Sequence, residues 1–142
     1  MDSTKEVIYI AGKMRGISDL GRSAFAEAED CIWAWTANEN KNRAVLNPAI
    51  LPTNLPDDAY LPICLAMLDK ADAIWMIDGW ENSEGANVEL AFAKAQRKTI
   101  YYTKCNELGI GITGITKSVY NNKLKQYTES GTYIVRTTAE LE

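Results

Sequence analysis

The sequence predicts an α/β protein, a three-layer α/β/α sandwich around a parallel sheet of four to five strands. Three observations predict it. Short β-branched or aromatic runs alternate with stretches of helical periodicity in the order strand, helix, strand, helix, strand, helix, strand. That order feeds each strand into a crossover helix and returns it parallel to its neighbour. At 142 residues, with 46% apolar and 24% charged side chains, the chain has the size and balance of one globular domain over 1–142.

The elements follow in order. Val7, Ile8, Tyr9, Ile10 and Ala11 form a β-branched run closed by Gly12, a buried strand. A helix is predicted over 19–38, with Phe25, Ala28, Ile32 and Trp35 as its apolar stripe, ending in the turn-rich 38–42. A second strand over 44–46 stops at Asn47 and Pro48. All 4 prolines lie between Pro48 and Pro62, so that stretch reads as an irregular loop or rigid connector. The next helix, 61–71, turns Cys64, Leu65, Leu68 and Ala71 inward, and 73–77 is an apolar strand covered on both faces. A third helix over 84–96 places Val88, Ala91, Phe92 and Ala95 on one face, and 99–102 is a fourth strand. Beyond the core at about 6–104, a C-terminal extension reads as a polar helix over 117–127 and a last strand over 133–135.

Composition excludes several functions. With no histidine, Ser-His-Asp and Cys-His catalysis and His-ligated metal sites are absent. Three widely spaced cysteines make neither a disulfide framework nor a paired-thiol metal site, which favours a reducing cytoplasm. The apolar run behind the polar leader is too short for a signal peptide or membrane span. The balance of 15 basic and 19 acidic residues, net −4 with no basic run, disfavours a nucleic acid polymer but allows one small anion to be held locally.

Open parallel sheets bind ligands beyond the carboxyl ends of their strands, which brings together the loops at 12–16, from Asn47 onward, and at 78–85. The first loop, Gly12 to Gly16 with Arg15, is either an anion cradle or a plain turn. In the third helix Glu89 leans back toward the ligand end, and Gly85 four residues earlier leaves it uncovered. Glu89 is thus either a cleft carboxylate or a solvated one. Asp78, Glu81 and Glu84 are either a cation site or loop solvation, and Trp80 either stacks on a planar base or packs as a lid. The Tyr9 hydroxyl reaches the pocket or bonds inside the core. A phospho-receiver reading of Asp78 fails, since Gly12 and Lys13 stand where its acidic pair belongs.

These same residues carry a resemblance. Tyr9-Ile10-Ala11-Gly12-Lys13-Met14-Arg15-Gly16, then Asn47-Pro48-Ala49, then Asp72-Ala73-Ile74 and the stretch from Asp78 to Glu89 resemble the nucleoside 2-deoxyribosyltransferase-like superfamily over roughly 6–103. Within it they resemble small phage and bacterial proteins of unassigned function, the domain of unknown function 4406 type, with loop motifs like those of 2′-deoxynucleoside 5′-phosphate N-hydrolases. The resemblance implies a flavodoxin- or Rossmann-like sheet and action on N-glycosidic bonds of nucleosides or nucleotides, with no cofactor and no metal. It makes Glu89 the nucleophile, and Ser83, Gly85, Gly12, Arg15 and Gly16 the phosphate contacts. Two departures stand out. Counting back eight positions from Asp72, where the family has a second catalytic carboxylate, lands on Cys64, and Ser83 replaces the transferases' aspartate.

The expected site therefore has Glu89 and Asp78 as catalytic carboxylates. Its binding residues are Tyr9, Gly12, Met14, Arg15 and Gly16 from the first loop, Asn47 from the second, and Gly79, Trp80, Ser83 and Gly85 from the third. The expected activity is hydrolysis of the N-glycosidic bond of a (deoxy)nucleoside 5′-monophosphate or related nucleotide through a carboxylate nucleophile. The alternatives are a non-catalytic protein that sequesters a nucleotide or nucleotide signal, possible in a phage, and a nucleoside deoxyribosyltransferase. The expected partners are a nucleotide or nucleoside ligand and further copies of the chain as a homo-oligomer, with no membrane.

Overall fold

The structure, a computed structural model, describes residues 5–14, 22–105 and 112–134. Its strands are β1 (Glu6–Ala11), β2 (Arg43–Leu46), β3 (Ala73–Met76), β4 (Thr99–Cys105), β5 (Ile112–Asn121) and β6 (Gln126–Ile134). Its helices are α1 (Arg22–Glu39), α2 (Asp57–Asp69) and α3 (Glu84–Ala95), with short 3-10 turns at Pro48–Ile50 and Trp80–Asn82. They build a mixed six-stranded sheet of order β2-β1-β3-β4-β5-β6. The first four strands are parallel, and β5 and β6 run antiparallel to their neighbours. The expected all-parallel sheet of four to five strands is corrected accordingly.

The period-two alternation of β1 and β3 sorts side chains onto two faces. Ile8, Ile10, Ala73, Trp75 and Tyr101 pack with Phe25, Ala28 and Ile32 of α1. On the opposite face, Tyr9, Ala11, Ile74, Met76 and Ile100 pack with Cys64 and Leu68 of α2 and Ala86, Leu90 and Ala93 of α3. All four residues of β3 are buried, as its continuous apolar run predicts. Register places Tyr9 beside Ile74 and Ala11 beside Met76, so β1 ends level with β3 where the chain leaves for the loops.

Three expectations are corrected. The second helix begins at Asp57 rather than 61 and carries Pro62 inside it. Asp57 and Asp58 in its first turn complement the positive end of the helix dipole. The inward face of α3 is Ala86, Glu89, Leu90 and Ala93, whereas Val88, Ala91 and Ala95 are exposed and Phe92 is half-buried. The supposed helix over 117–127 is instead the β5–β6 hairpin, and the expected last strand is its end. Thr116, Val119, Tyr120, Tyr127 and Thr128 suit a pleated surface. Asn121 closes the turn, its Oδ1 accepting from the amides of Lys123 at 2.9 Å and Leu124 at 3.0 Å.

Candidate active site

A cleft of about 430 Å³ opens at the carboxyl end of the sheet, between the end of β1 and the starts of α2 and α3. Gly12, Lys13 and Met14 line it from the first loop, and Asp57, Tyr60, Leu61 and Cys64 from α2. The turn into α3 supplies Asn82, Ser83, Glu84 and Gly85, and the helix itself Val88 and Glu89.

Gly12 is a glycine for a packing reason. A Cβ there would stand 3.0 Å from both Cβ and Cδ1 of Ile77, so Ile77 would have to give by a few tenths of an ångström. Ser83 caps α3, its Oγ accepting from the Ala86 amide at 3.1 Å, while its carbonyl accepts from the Asn87 amide. Of the first helical amides this leaves those of Glu84 and Gly85 at the cleft, where an anion meets both N–H groups and the helix dipole.

Glu89 stands one turn further along the inward face and is 6% exposed. Its Oε2 accepts a hydrogen bond from the hydroxyl of Tyr9, which is wholly buried. Burial pushes the Glu89 carboxyl up to about 7, opposed by the Tyr9 hydrogen bond. Tyr9 itself is pushed upward by burial and then by the Glu89 charge, so it stays a donor. Tyr9 also packs in the same buried cluster as Cys64, whose thiol burial holds above its ordinary value. Cys64, Tyr9 and Glu89 thus come together from three elements, Tyr9 bonded to Glu89 and packed with Cys64.

The other expected residues divide. Gly12, Met14, Ser83, Gly85 and Glu89 line the cleft, and Tyr9 lies directly behind Glu89. Asn47 does not line it. Its Oδ1 accepts from the Ala49 amide at 2.9 Å and its Nδ2 donates to Glu29 at 3.1 Å, which fixes the 3-10 turn after β2. Nor does Asp78, whose Oδ2 accepts from the Cys105 amide at 2.9 Å and ties the ends of β3 and β4 together. Gly79 supplies the left-handed backbone of the next turn, at φ 92°. Trp80 packs against the α2–α3 core, its ring 6.1 Å from that of Tyr102, outside the cleft lining. Arg15 and Gly16 lie outside the described residues.

Sequence reasoning missed the α2 wall of Asp57, Tyr60 and Leu61, because the prolines masked the first turn of that helix. Among the described residues no group of His, Cys, Asp or Glu can hold a metal ion, and Asp78, Glu81 and Glu84 do not converge. No described helix is long and apolar enough to cross a membrane.

The family described as Domain of unknown function (DUF4406) matches residues 6–102. The chain belongs to that family. No curated protein and no solved structure matches it. The DUF4406 region begins at β1 and ends within β4, so it contains every described residue that lines the cleft. The β5–β6 hairpin lies beyond the DUF4406 region.

Proposed function

We propose that the protein hydrolyses the N-glycosidic bond of a nucleoside 5′-monophosphate, deoxy or ribo, with Glu89 as the carboxylate nucleophile. One observation carries this reading. A buried carboxylate, held at one oxygen by Tyr9, faces a cleft of nucleotide size beside the start of α3. Breaking the bond from sugar to base builds positive charge at the anomeric carbon, which a carboxylate stabilises or captures as an ester. With Oε2 engaged by Tyr9, Oε1 is the oxygen offered to the sugar. The amides of Glu84 and Gly85, with Lys13 at the cleft, suit the phosphate.

The resemblance to the nucleoside 2-deoxyribosyltransferase-like superfamily supports the same reading. With it come a flavodoxin-like three-layer fold, a homo-oligomer, and a cytoplasmic setting in a bacterium or phage-infected cell. The test is a panel of 2′-deoxynucleoside 5′-monophosphates, ribonucleotides and free nucleosides, with released base followed by chromatography. Monophosphates should release base, and Glu89→Gln should not. If no member yields base, or the variant yields as much, the reading is wrong.

The thiol of Cys64 favours a second reading, sequestration of a nucleotide without cleavage, because a thiol is a poor substitute for a carboxylic acid in protonating a leaving base. Calorimetry giving stoichiometric binding, with intact ligand recovered, would establish it.

A further inference from the structure

We infer that the ring of Tyr60 is the platform on which the base of the bound nucleotide stacks, so that the cleft demands a planar base without choosing strongly among bases. This rests on the nucleotide reading of the cleft and adds to it the residue that holds the base.

The first observation is the stripe that α2 turns to the cleft. Asp57, Tyr60, Leu61 and Cys64 share one helical face, and all of them line the cleft. Cys64 is buried beside Tyr9, Tyr60 and Leu61 are half-buried one turn out, and Asp57 is exposed at the mouth. α3 descends in the same way, from exposed Glu84 through half-buried Gly85 to buried Glu89. A nucleotide with its anomeric carbon at Glu89 and its phosphate on the start of α3 therefore leaves its base to the α2 wall, at the depth of Tyr60 and Leu61. Trp80, the aromatic side chain that the sequence offered for this task, lies outside the cleft lining.

The second observation is how Tyr60 is held. Its hydroxyl donates to the Pro52 carbonyl and accepts from the Leu55 amide at 3.3 Å, both in the proline-bearing segment that leads into α2. The single donor of the hydroxyl is spent on the backbone, and what Tyr60 brings to the cleft is its ring. Two backbone bonds fix that ring before a ligand arrives, so little ordering is left to oppose binding. Stacking on a fixed ring reads a π-face, which every base has, and Leu61 beside it has no polar side-chain group with which to read a base edge.

Binding is measured by calorimetry on Glu89→Gln, so that no ligand is consumed. The 2′-deoxynucleoside 5′-monophosphates of adenine, guanine, cytosine and thymine should bind within about tenfold of one another, and 2-deoxyribose 5-phosphate, which has no base, at least about tenfold more weakly. Adding Tyr60→Ala should weaken the nucleotides roughly 5- to 150-fold and leave 2-deoxyribose 5-phosphate within about twofold, whereas a residue that merely shaped the fold would lower both alike. Should that variant unfold, Tyr60→Leu, which keeps bulk without a π-face, gives the same comparison. Tyr60→Phe, which keeps the ring, should keep most of the nucleotide affinity. In base release with Glu89 in place, Tyr60→Ala should raise KM by the same factor and leave kcat within about threefold.

Equal losses for nucleotide and sugar phosphate, no loss for either, a loss confined to kcat, a Tyr60→Phe as weak as Tyr60→Ala, a baseless sugar phosphate that binds as well as the nucleotides, or one base preferred beyond that tenfold margin overturns the inference. Base release that still depends on Glu89 then leaves the N-glycosidase reading intact. The expected binding pattern without any base release keeps the platform and removes the N-glycosidase reading. If no nucleotide binds, both fall.

Discussion

Tyr9 and Glu89, 80 positions apart in the chain, share a hydrogen bond behind the cleft. β1 directs Tyr9 toward the α2–α3 layer, and the inward face of α3 brings Glu89 down onto it. The bond leaves a carboxylate in a site that disfavours its charge, which has measurable consequences for stability and for rate.

The stability consequence follows from linkage. The folded Glu89 carboxyl is raised from 4.5 to about 7, so between those values the folded chain binds more protons than the unfolded one. The stabilisation is complete below about pH 4.5 and is lost as pH rises through 7. At about 1.4 kcal/mol per pH unit, and with some relaxation of the site, roughly 2 to 3 kcal/mol disappears across that window. Glu89→Gln removes the titration. Urea unfolding of both proteins from pH 4.5 to 8 should show the variant gaining on the parent by that amount and then levelling off. A constant difference across the range would mean that Glu89 is not raised.

The rate consequence has its own signature. If the ionised carboxylate is the nucleophile, base release should rise with pH to a plateau, with a midpoint near 7. Tyr9 favours the ionised form, so Tyr9→Phe should move the midpoint up by about one pH unit. Near pH 7 that lowers the rate about fivefold, and the loss should be recovered above pH 9. A variant that is equally slow at every pH would show that Tyr9 does something other than hold this carboxylate ionised.

Two glycines at the cleft should answer differently to alanine. At Gly12 the added Cβ meets the Ile77 side chain at 3.0 Å, so Gly12→Ala obliges Ile77 to shift within the packed end of the sheet and should cost about 1 to 3 kcal/mol. At Gly85 the nearest atom is Ser83 Oγ at 3.9 Å, an ordinary contact, and Gly85→Ala should change stability by no more than about 0.5 kcal/mol. If the amides there hold phosphate, Gly85→Ala should still weaken monophosphate binding roughly tenfold, about 1.4 kcal/mol, by thermal melting and calorimetry on one preparation. Unchanged affinity would move the phosphate elsewhere.

What could be read from the sequence depended on how far the physics was local. Strong apolar runs announced β1 and β3, and the polar, glycine-bearing loop over 78–85 marked the start of α3. The face of α3 was misread because Val88 and Phe92 are apolar, while its inner face gives a position to the carboxylate. No periodicity argument puts a charge in a core. Asp78 and Asn47 looked like pocket residues because they follow strands, yet each accepts from a backbone amide, Cys105 and Ala49 in turn. The hairpin was missed because its strands are polar and only half-buried, so hydrophobic alternation is faint there. Pairing with β4 organises them, and that contact is non-local.

Arg43 offers a control remote from the cleft. At the start of β2 it is 7% exposed, bonded to Glu6 at 2.8 Å and Glu39 at 3.0 Å, with its guanidinium 3.9 Å from the Trp35 ring centroid. Tyr101 donates to the second oxygen of Glu6 at 2.7 Å, so one cation joins β1, α1, β2 and β4. Arg43→Ala leaves the two carboxylates without their cation in a partly buried setting and opens the space over Trp35. The loss should be about 2 to 3 kcal/mol, kept below that of a fully buried pair because both glutamates are partly exposed. Arg43→Met with Glu6→Gln and Glu39→Gln fills the same space without stranded charge and should recover more than half of it. Any base release by folded protein should stay within about twofold of the parent in both variants, since nothing in this network lines the cleft. A change in the tryptophan emission without a loss of stability would show that the cation has left the Trp35 ring while neither the stacking nor the ion pairs contribute to stability.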